Sequence, residues 1–277
     1  MSTGHRAKKS LGQNFLIDTH QQRRIAAALE ATEEDTVVEI GPGRGALTRH
    51  LVDAVGRLVL VELDNELAPA LALEYADRPH VSVIHADFMR LEPHQLGDEP
   101  HALKVIGNIP YNITTPILFR LLERDLRPRR IVLMIQREVA DRILARPGTA
   151  EYGALSVGVR SVAHVERLFH VARGSFSPVP RVDSTVILIE PHWPPPLTAV
   201  EESDLRALTR AAFSWRRKQM QKTLRAAPEY GMSADQAADI EAATGIALEQ
   251  RPEQLSPDQF LTLAAALRRV RHAGDAA

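Results

Sequence analysis

Short apolar runs alternate with helical patterns along the chain from about residue 36 onward. Five of these runs lack the polar–apolar alternation of half-exposed strands, and this pattern predicts strands that are buried on both faces. They are TVVEIG (36–41), RLVLVEL (57–63), HVSVIHAD (80–87), ALKVIG (102–107) and RIVLMIQ (130–136). Amphipathic segments such as residues 46–55 and 116–123 lie between them. Repeated strand–helix–strand units predict an α/β fold with a doubly wound sheet.

Two further stretches, residues 155–165 and 183–189, are predicted to close the sheet with an antiparallel edge. The character of the chain changes at EPHWPPPLT (190–198), because three successive prolines favour an extended segment and end any strand or helix. Beyond this point the sequence is rich in Ala, Leu, Gln and Arg and has helical periodicity. We therefore predict a first domain at residues 1–192 and a small all-helical domain at residues 197–277.

The composition is that of a soluble globular protein, with 44% hydrophobic and 25% charged residues. No cysteine is present, which excludes disulfides and thiolate metal sites, and the 11 histidines show no metal-ligand spacing. The basic N-terminus precedes no apolar segment, and no apolar run approaches the roughly 20 residues that span a membrane. We expect no signal peptide, no membrane partner, no metal and a cytoplasmic location.

Basic residues are more informative by their distribution than by the net charge of −1. They cluster at three places, of which the last is in a stretch predicted as helix. The clusters are Arg6, Lys8 and Lys9; Arg127, Arg129 and Arg130; and Arg216, Arg217, Lys218, Lys222 and Arg225. A solvated surface is a sufficient explanation for any one cluster taken alone.

A glycine-rich turn follows the first predicted strand in VVEIGPGRGALT (37–48). Gly41, Gly43 and Gly45 allow the backbone to turn sharply and to approach a ligand closely. Glu62 ends the next strand, where a carboxylate can accept both hydroxyls of a ribose. A structural turn and a helix-capping carboxylate are the alternatives for these two features.

Two more acids accompany Glu62 in this part of the sequence. Glu39 lies in the first strand, before the glycines, and Asp87 ends the third strand. Three carboxylates repel a pyrophosphate, which is the group that dinucleotide sites hold at a helix N-terminus. They suit a cationic ligand with an adenosine moiety, such as S-adenosylmethionine. We expect Asp87 to accept from the adenine amino group and Glu39 to lie near the positive amino acid end.

Motifs of one known family extend along most of the chain. They are KKSLGQNFL (8–16), VEIGPGRGALT (38–48), VELD (61–64), HADF (85–88), GNIPYNITTPI (107–117), MIQREVADRILARPGTAEYGALSV (134–157), SFSPVPRVDS (175–184) and FSWRRKQMQKTL (213–224). In this order they resemble the small-subunit ribosomal RNA adenine N6,N6-dimethyltransferases. The resemblance implies a Rossmann-like S-adenosylmethionine-dependent methyltransferase sheet and a C-terminal helical domain that binds rRNA. Arg44 and Ile109 depart from the commonest residues of that group.

The residues and the resemblance together give three sets of candidate site residues. The cofactor set is Asn14, Leu16, Gly41, Gly43, Glu62, Asp87 and Asn108. The set for the target base is Asn108, Pro110, Tyr111 and Phe176. The rRNA set is Arg216, Arg217, Lys218 and Lys222. Asn14, Leu16 and the role of Phe176 as a second aromatic wall for the base are implied by the resemblance alone.

The Asn-Ile-Pro-Tyr motif suits methylation of the N6 amine of adenine, which is a poor nucleophile because its lone pair is delocalised. The Asn108 side-chain oxygen can accept one amine hydrogen. The carbonyl of Pro110 or a neighbour can accept the other, held in place by the fixed φ of proline. Tyr111 offers a stacking face, worth ~1–3 kcal/mol per base, to a base that has left its own stack. A simple turn is the alternative, and it leaves Tyr111 unexplained.

We expect dimethylation of two adjacent adenosines near the 3′ end of small-subunit (16S-type) rRNA, by a monomer acting on the assembling small subunit. Ile109 keeps a second possibility open, since the macrolide-resistance methyltransferases of large-subunit rRNA often carry NIPY. EYGALSV (151–157) and WRRK (215–218) resemble the small-subunit group instead. An RNA-binding ribosome assembly factor with vestigial activity is the third possibility.

Overall fold

The computed structural model describes residues 7–8 and 11–275, with the backbone alone for residues 271–275. Arg6 and Lys9 of the first basic cluster lie outside the described residues. No helix in the described part of the chain is long and apolar enough to cross a membrane.

The chain divides into two compact units. Unit 1 comprises Met1–Ala140 and His164–Trp193, and unit 2 comprises Asp141–Ala163 and Pro194–Ala277. The second boundary between the units, between residues 193 and 194, lies within the proline-rich segment at 190–198. Residues 141–163 group with the helical unit, although the sequence assigned them to the first domain.

A seven-stranded sheet forms the centre of unit 1. Its strands are β2 (Thr36–Ile40), β3 (Arg57–Glu62), β4 (Val81–His85), β5 (Lys104–Asn108), β6 (Arg130–Gln136), β7 (Ala163–Val171) and β9 (Ser184–Pro191). Their order in the sheet is β4-β3-β2-β5-β6-β9-β7. Strands β2 to β6 pair in parallel, and β9 pairs antiparallel with β6. A separate antiparallel ladder joins β1 (Phe15–Leu16) to β8 (Phe176–Ser177). The predicted α/β sheet is confirmed.

Burial on both faces explains most of the apolar runs from which the strands were predicted. The exception is β4, which was predicted as buried but is an edge strand whose residues are half-buried or exposed. In β3, every residue from Leu58 to Glu62 is buried. Leu58 and Leu60 belong to a hydrophobic core that also contains Ile25 and Leu51 from the helices beside the sheet. Each such buried aliphatic side chain contributes about 1.5–3 kcal/mol relative to its exposed state.

The helices of unit 1 follow the amphipathic patterns, although the helix predicted at 46–55 is shorter and the one predicted at 116–123 begins and ends two residues earlier. They are α1 (Thr19–Ala28), α2 (Thr48–Leu51), α3 (Leu67–Glu74), α4 (Pro93–Leu96) and α5 (Thr114–Leu121), followed by α6 (Arg137–Leu144), which crosses the division between the units. In the sheet order, the chain passes from β2 to β3 on one side and places β5 on the other. This reversal creates a crevice at the carboxyl ends of β2 and β5, which is where ligands bind in open α/β sheets.

Unit 2 is helical. Its helices are α7 (Ala154–Arg160), α8 (Ala199–Ser214), α9 (Met220–Ala226), α10 (Ala234–Thr244) and α11 (Pro257–Asp275). Thr198 and Ser233 accept hydrogen bonds from backbone N–H groups of the first turns of α8 and α10, which satisfies donors that a helix start leaves unpaired. Gly245 ends α10 with φ of 69°, a left-handed conformation that glycine adopts without strain.

The predicted strand at residues 155–165 is wrong in its first half, which forms α7, whereas residues 163–165 begin β7 at the edge of the sheet. Val157 and the preceding Tyr152 are fully buried in the hydrophobic core of unit 2. The Tyr152 hydroxyl donates to the carbonyl of Leu255, at 2.7 Å. Over so short a stretch, alternating β-branched residues fit both the two-residue period of a strand and the 3.6-residue period of a helix. Packing within unit 2 selects the helix.

We expect Tyr152→Phe to weaken unit 2 by about 1–2 kcal/mol, because it leaves the buried Leu255 carbonyl without its donor. Amide hydrogen exchange is the suitable measurement. Exchange should accelerate in α8 and α11 and stay unchanged in strands β2 to β6. Equal acceleration in the sheet would contradict the grouping of residues 141–163 with the helical unit.

Candidate active site

A cavity of about 300 Å³ lies at the carboxyl ends of β2, β3 and β5. Its walls are the glycine turn after β2, the loops after β3 and β4, the Asn-Ile-Pro-Tyr segment after β5, and residues 11–16. All of these belong to unit 1. The cavity contains every candidate cofactor residue of the sequence analysis, and also Pro110 and Tyr111.

The glycine turn needs its glycines because of backbone conformation. Gly41, Gly43 and Gly45 have φ of +64°, +61° and +70°, which other residues rarely adopt. A Cβ on Gly41 would meet nothing within 4 Å, so this residue leaves open space for a ligand. A Cβ on Gly43 would lie 3.2 Å from the ring of Phe15.

Glu62 holds the glycine turn from the end of β3. Its Oε2 accepts from the backbone N–H of Gly43, and its Oε1 accepts from that of Asp64, both at 2.9 Å. The residue is 6% exposed and lines the cavity. One carboxylate therefore positions the turn and presents its remaining lone pairs to the cavity.

Glu39 is the most deeply buried acid of the cavity, with 1% exposure. Its Oε2 accepts a hydrogen bond from the Thr48 hydroxyl at 2.7 Å. Burial raises the pKa of Glu39 to about 7, the Thr48 hydrogen bond opposes this shift, and the charge of Glu62 adds to it. Because its charge is poorly compensated, this carboxylate can attract a cationic group.

Asp87 lies in the loop after β4 and also lines the cavity. One side-chain oxygen accepts from the backbone N–H of Met89 at 3.0 Å and caps the short 3₁₀ turn Phe88–Arg90. Its other oxygen lies 3.9 Å from Arg90 Nε, and the side chain is 38% exposed, so a ligand can reach this carboxylate.

Asp64 anchors the N-terminal segment over this part of the sheet, and sequence reasoning missed it. Its carboxylate accepts from Lys8 Nζ at 2.8 Å and from Gln13 Nε2 at 2.7 Å. The backbone N–H of Glu66 donates to it as well, at 2.9 Å. Burial opposes ionisation, but these hydrogen bonds lower the pKa of Asp64 to about 2. The sequence signal for this contact was the acid of VELD together with the Lys and Gln of KKSLGQN, which can donate hydrogen bonds to it.

Asn108 joins the N-terminal segment to the Asn-Ile-Pro-Tyr motif. Its Nδ2 donates to the backbone carbonyl of Asn14 at 3.0 Å. This bond fixes the orientation of the amide, and no hydrogen bond among the described residues occupies Oδ1. Asn14 in turn donates from its own Nδ2 to the Gly12 carbonyl. Asn108 thus presents an oriented Oδ1 that can accept a hydrogen bond from a ligand in the cavity.

The Pro110 carbonyl is already engaged by the helix that follows the motif. It accepts from the N–H of Ile113 at 3.1 Å and from the Thr114 hydroxyl at 3.3 Å. A carbonyl oxygen has two lone pairs, so both are used. The Ile109 carbonyl, directly before it, accepts no such bond among the described residues. This geometry favours the neighbouring carbonyl over that of Pro110 as the second acceptor.

Tyr111 is a half-buried member of the cavity wall. Its hydroxyl is 2.8 Å from the Oγ of Ser184, a fully buried residue of β9. Burial raises the pKa of the Tyr111 hydroxyl, and the Ser184 hydrogen bond opposes the shift. The hydroxyl therefore serves to orient the ring.

Phe176 does not line this cavity, and its role as a second aromatic wall for the base, which the resemblance implied, stays a prediction. It pairs with Leu16 in the ladder of β1 and β8, is 2% exposed, and belongs to the hydrophobic core. Two other phenylalanines, Phe15 and Phe88, line the cavity. The guanidinium of Arg44 lies 4.3 Å from the centre of the Phe15 ring.

The candidate rRNA residues lie in unit 2. Their predicted helix is interrupted, because α8 ends at Ser214 and α9 begins at Met220. Arg216, Arg217 and Lys218 therefore lie in a turn. No group of three or more His, Cys, Asp or Glu that could hold a metal occurs among the residues that the structure describes.

Comparison with known proteins matches residues 4–269 to the family model of ribosomal RNA adenine dimethylases. The ribosomal RNA small subunit methyltransferase A of Geobacter metallireducens is 43% identical over 269 residues, 95% of this chain and 96% of that protein. The protein of the same name from Pseudomonas syringae pv. tomato is 39% identical over 260 residues, 94% of each chain.

Two solved structures share the fold over most of the chain. The 23S rRNA methyltransferase ErmE is 27% identical, with a TM-score of 0.69 over 92% of this chain and 100% of that one. A dimethyladenosine transferase from Plasmodium falciparum is 24% identical, with a TM-score of 0.75 over 92% of this chain and 98% of that one. The second likeness concerns the fold alone.

Glu39→Gln is expected to make the free energy of unfolding less dependent on pH. The pKa of folded Glu39 is raised from 4.5 to about 7. The stability that its protonated form contributes is therefore complete below about pH 4.5 and is lost as pH rises through about 7. The wild type should lose about 3 kcal/mol over this range, and the uncharged variant should not.

Urea unfolding at about pH 5 and about pH 8 measures this difference. The exposed position Glu34 provides a matched control, Glu34→Gln, which should behave as the wild type does. If Glu39→Gln lost the same free energy as the wild type, the titration would belong to another group.

Proposed function

Since this chain belongs to the ribosomal RNA adenine dimethylase family, we propose that it dimethylates N6 of two adjacent adenosines near the 3′ end of small-subunit rRNA. The methyl donor in this proposal is S-adenosylmethionine, and the enzyme acts as a cytoplasmic monomer on the assembling small subunit. The relatives named small subunit methyltransferases, at 39–43% identity, support this substrate. The observation that carries the proposal is that Asn108 shares one cavity with the acids Glu39, Glu62 and Asp87.

The donor set of the cavity fits S-adenosylmethionine. Glu62 can accept the ribose hydroxyls, Asp87 can accept from the adenine amino group, and Glu39 can face the ammonium group. Gly41 leaves the open space that such a ligand requires. When bound, this cofactor supplies a methyl group from a sulfonium centre. Arg44 is the one basic residue among the described residues that line the cavity, and it can balance the carboxylate of the cofactor.

The Asn-Ile-Pro-Tyr segment positions the target amine. Asn108 Oδ1 and the Ile109 carbonyl accept from its two hydrogens in a geometry that favours a tetrahedral nitrogen. Tyr111, oriented through Ser184, stacks against the displaced base. No strong base is needed, because the amine proton becomes acidic once the methyl group is attached. Positioning therefore accounts for most of the acceleration.

A second candidate function is methylation of large-subunit rRNA, which the likeness to ErmE favours. The higher identity of the small-subunit methyltransferases, 43% against 27%, supports the first proposal. The test is methyl transfer from labelled cofactor to purified small and large subunits. Label in small-subunit RNA alone is expected. Label in large-subunit RNA alone would establish the second candidate, and tight binding to the small subunit without label would indicate an assembly factor.

Glu62→Ala is expected to weaken cofactor binding, because each lost charged hydrogen bond is worth roughly 1.5–3 kcal/mol. The variant also releases Gly43, so the loss should exceed that of Asp87→Asn, which retains one acceptor oxygen. Calorimetric titration with S-adenosylhomocysteine, at equal circular dichroism of the variants, measures both affinities. Unchanged affinity of Glu62→Ala would remove Glu62 from the site.

Asn108→Ala should nearly abolish turnover while the variant still folds and binds RNA, because it removes the acceptor that orients the amine. Asn65→Ala is the matched control, since Asn65 is exposed and bonds His85 outside the cavity. Single-turnover methylation of small subunits, together with circular dichroism, provides the measurement. If a folded Asn108→Ala variant stayed active, the motif would be only a structural turn without a role in catalysis.

Tyr111→Phe is expected to retain most of the activity, since the stacking face survives. Ser184→Ala breaks the same hydrogen bond from its other end, so it should cause a similarly small loss. Tyr111→Ala should lose far more, measured by methylation at saturating cofactor. If Tyr111→Phe were as inactive as Tyr111→Ala while Ser184→Ala stayed active, the hydroxyl would act on the substrate and the stacking account would be wrong.

A further inference from the structure

The three basic clusters differ in the partners of their charges. In the second cluster, Arg127 is buried and donates to a backbone carbonyl at 2.8 Å. Arg129 is paired with Asp35, and Arg130 with Glu190. Lys8 of the first cluster is likewise bound to a buried carboxylate of unit 1. These cations stabilise the fold.

The third cluster keeps most of its charges in solvent. Arg217, Lys218, Lys222 and Arg225 are exposed, and no ion pair among the described residues engages any of them. Lys222 and Arg225 are three residues apart in α9 and share one face of that helix, and Lys218 lies in the turn just before it. A concentration of unpaired cations attracts phosphate.

Arg216 has a different task, which is to hold the turn between α8 and α9 in place. Its Nε pairs with Glu253 at 2.7 Å. A second guanidinium nitrogen donates to the carbonyls of Thr149 and Ala150, at 3.2 Å and 2.7 Å. All four residues belong to unit 2. The neighbours of Arg216 are therefore presented from an anchored turn.

Trp215 stands in this turn beside the free cations. Its side chain is 43% exposed, and Lys218 Nζ lies 3.7 Å from the centre of its ring. The Lys218 N–H donates to the Trp215 carbonyl at 2.7 Å, which fixes the two residues relative to each other. Val200 is the other large hydrophobic side chain exposed within the described part of unit 2. Trp215 is thus an isolated aromatic group among cations and not part of an apolar patch.

We propose that the face of Trp215 opposite Lys218 is a stacking platform for an unpaired base of rRNA, flanked by Lys218, Arg217 and Lys222 as phosphate contacts. This inference rests on the proposed function, because it takes rRNA as the partner. An aromatic face combined with a basic track is the arrangement that binds single-stranded nucleic acid. A protein partner that buried Trp215 would need apolar neighbours, which the turn does not offer. The platform adds a base contact to a surface otherwise suited to phosphates alone.

Stacking and phosphate contacts have different salt signatures, and this difference tests the proposal. Trp215→Leu should weaken binding to small subunits about tenfold without changing the slope of log K against log salt, since stacking releases no counterions. Trp215→Phe, which keeps an aromatic face, should bind nearly as the wild type does. Lys222→Gln should lower both the affinity and the slope, the latter by about 0.7–0.9.

The matched control is Trp193→Leu. Trp193 is 61% exposed and lies in unit 1, where the centre of its ring is 4.0 Å from that of His101. This variant should bind small subunits as the wild type does. Wild-type affinity of Trp215→Leu, or equal losses for Trp215→Phe and Trp215→Leu, would overturn the proposal.

Tryptophan fluorescence provides a test that does not depend on methylation. In a Trp193→Phe background, Trp215 is the sole tryptophan, because the chain has two. A single-stranded RNA of about 12 nucleotides should quench its emission, and an abasic strand with the same phosphates should not. Equal quenching by both strands, or by neither, would overturn the platform. Failure of the proposed function would appear separately, as the absence of methyl transfer to small subunits.

Discussion

The hydrogen bonds of the Asp64 carboxylate join segments that are distant in sequence, and the cavity depends on them. Asp64 binds Gln13 of the N-terminal segment, while its own N–H donates to Glu62, which in turn holds Gly43. Asn108 closes the other side through the Asn14 carbonyl. The walls of the cavity are therefore linked by polar contacts that the sheet alone does not supply.

This arrangement separates two requirements of the chemistry. Two of the acids that suit a cationic cofactor, Glu39 and Glu62, lie in strands β2 and β3, where nearly every residue is buried. The acceptor for the target amine, Asn108, ends β5 on the other side of the point where the strand order reverses. The fold thus brings donor and acceptor together, and the few residues after each strand give the site its specificity.

The strands and the glycine turn could be predicted because each depends on local sequence. Burial on both faces requires an apolar run, and left-handed backbone requires glycine. Three features were beyond such reasoning. The pairing of Lys8 with Asp64 spans 56 residues, and the position of Phe176 follows from a two-residue strand. The helical state of residues 154–160 depends on packing within unit 2, where the neighbouring Tyr152 bonds Leu255, 103 residues away.

The division of the chain also bears on the order of folding during synthesis. Unit 2 is discontinuous, since it takes one segment from the middle of the chain and the other from its end. Strands β2 to β6 and β9 are complete once residue 191 has been made. At that moment Tyr152 and Val157 still lack Phe260 and Leu263, with which they share a core. On the ribosome, the helical unit therefore closes last, around side chains that were synthesised about 100 residues earlier.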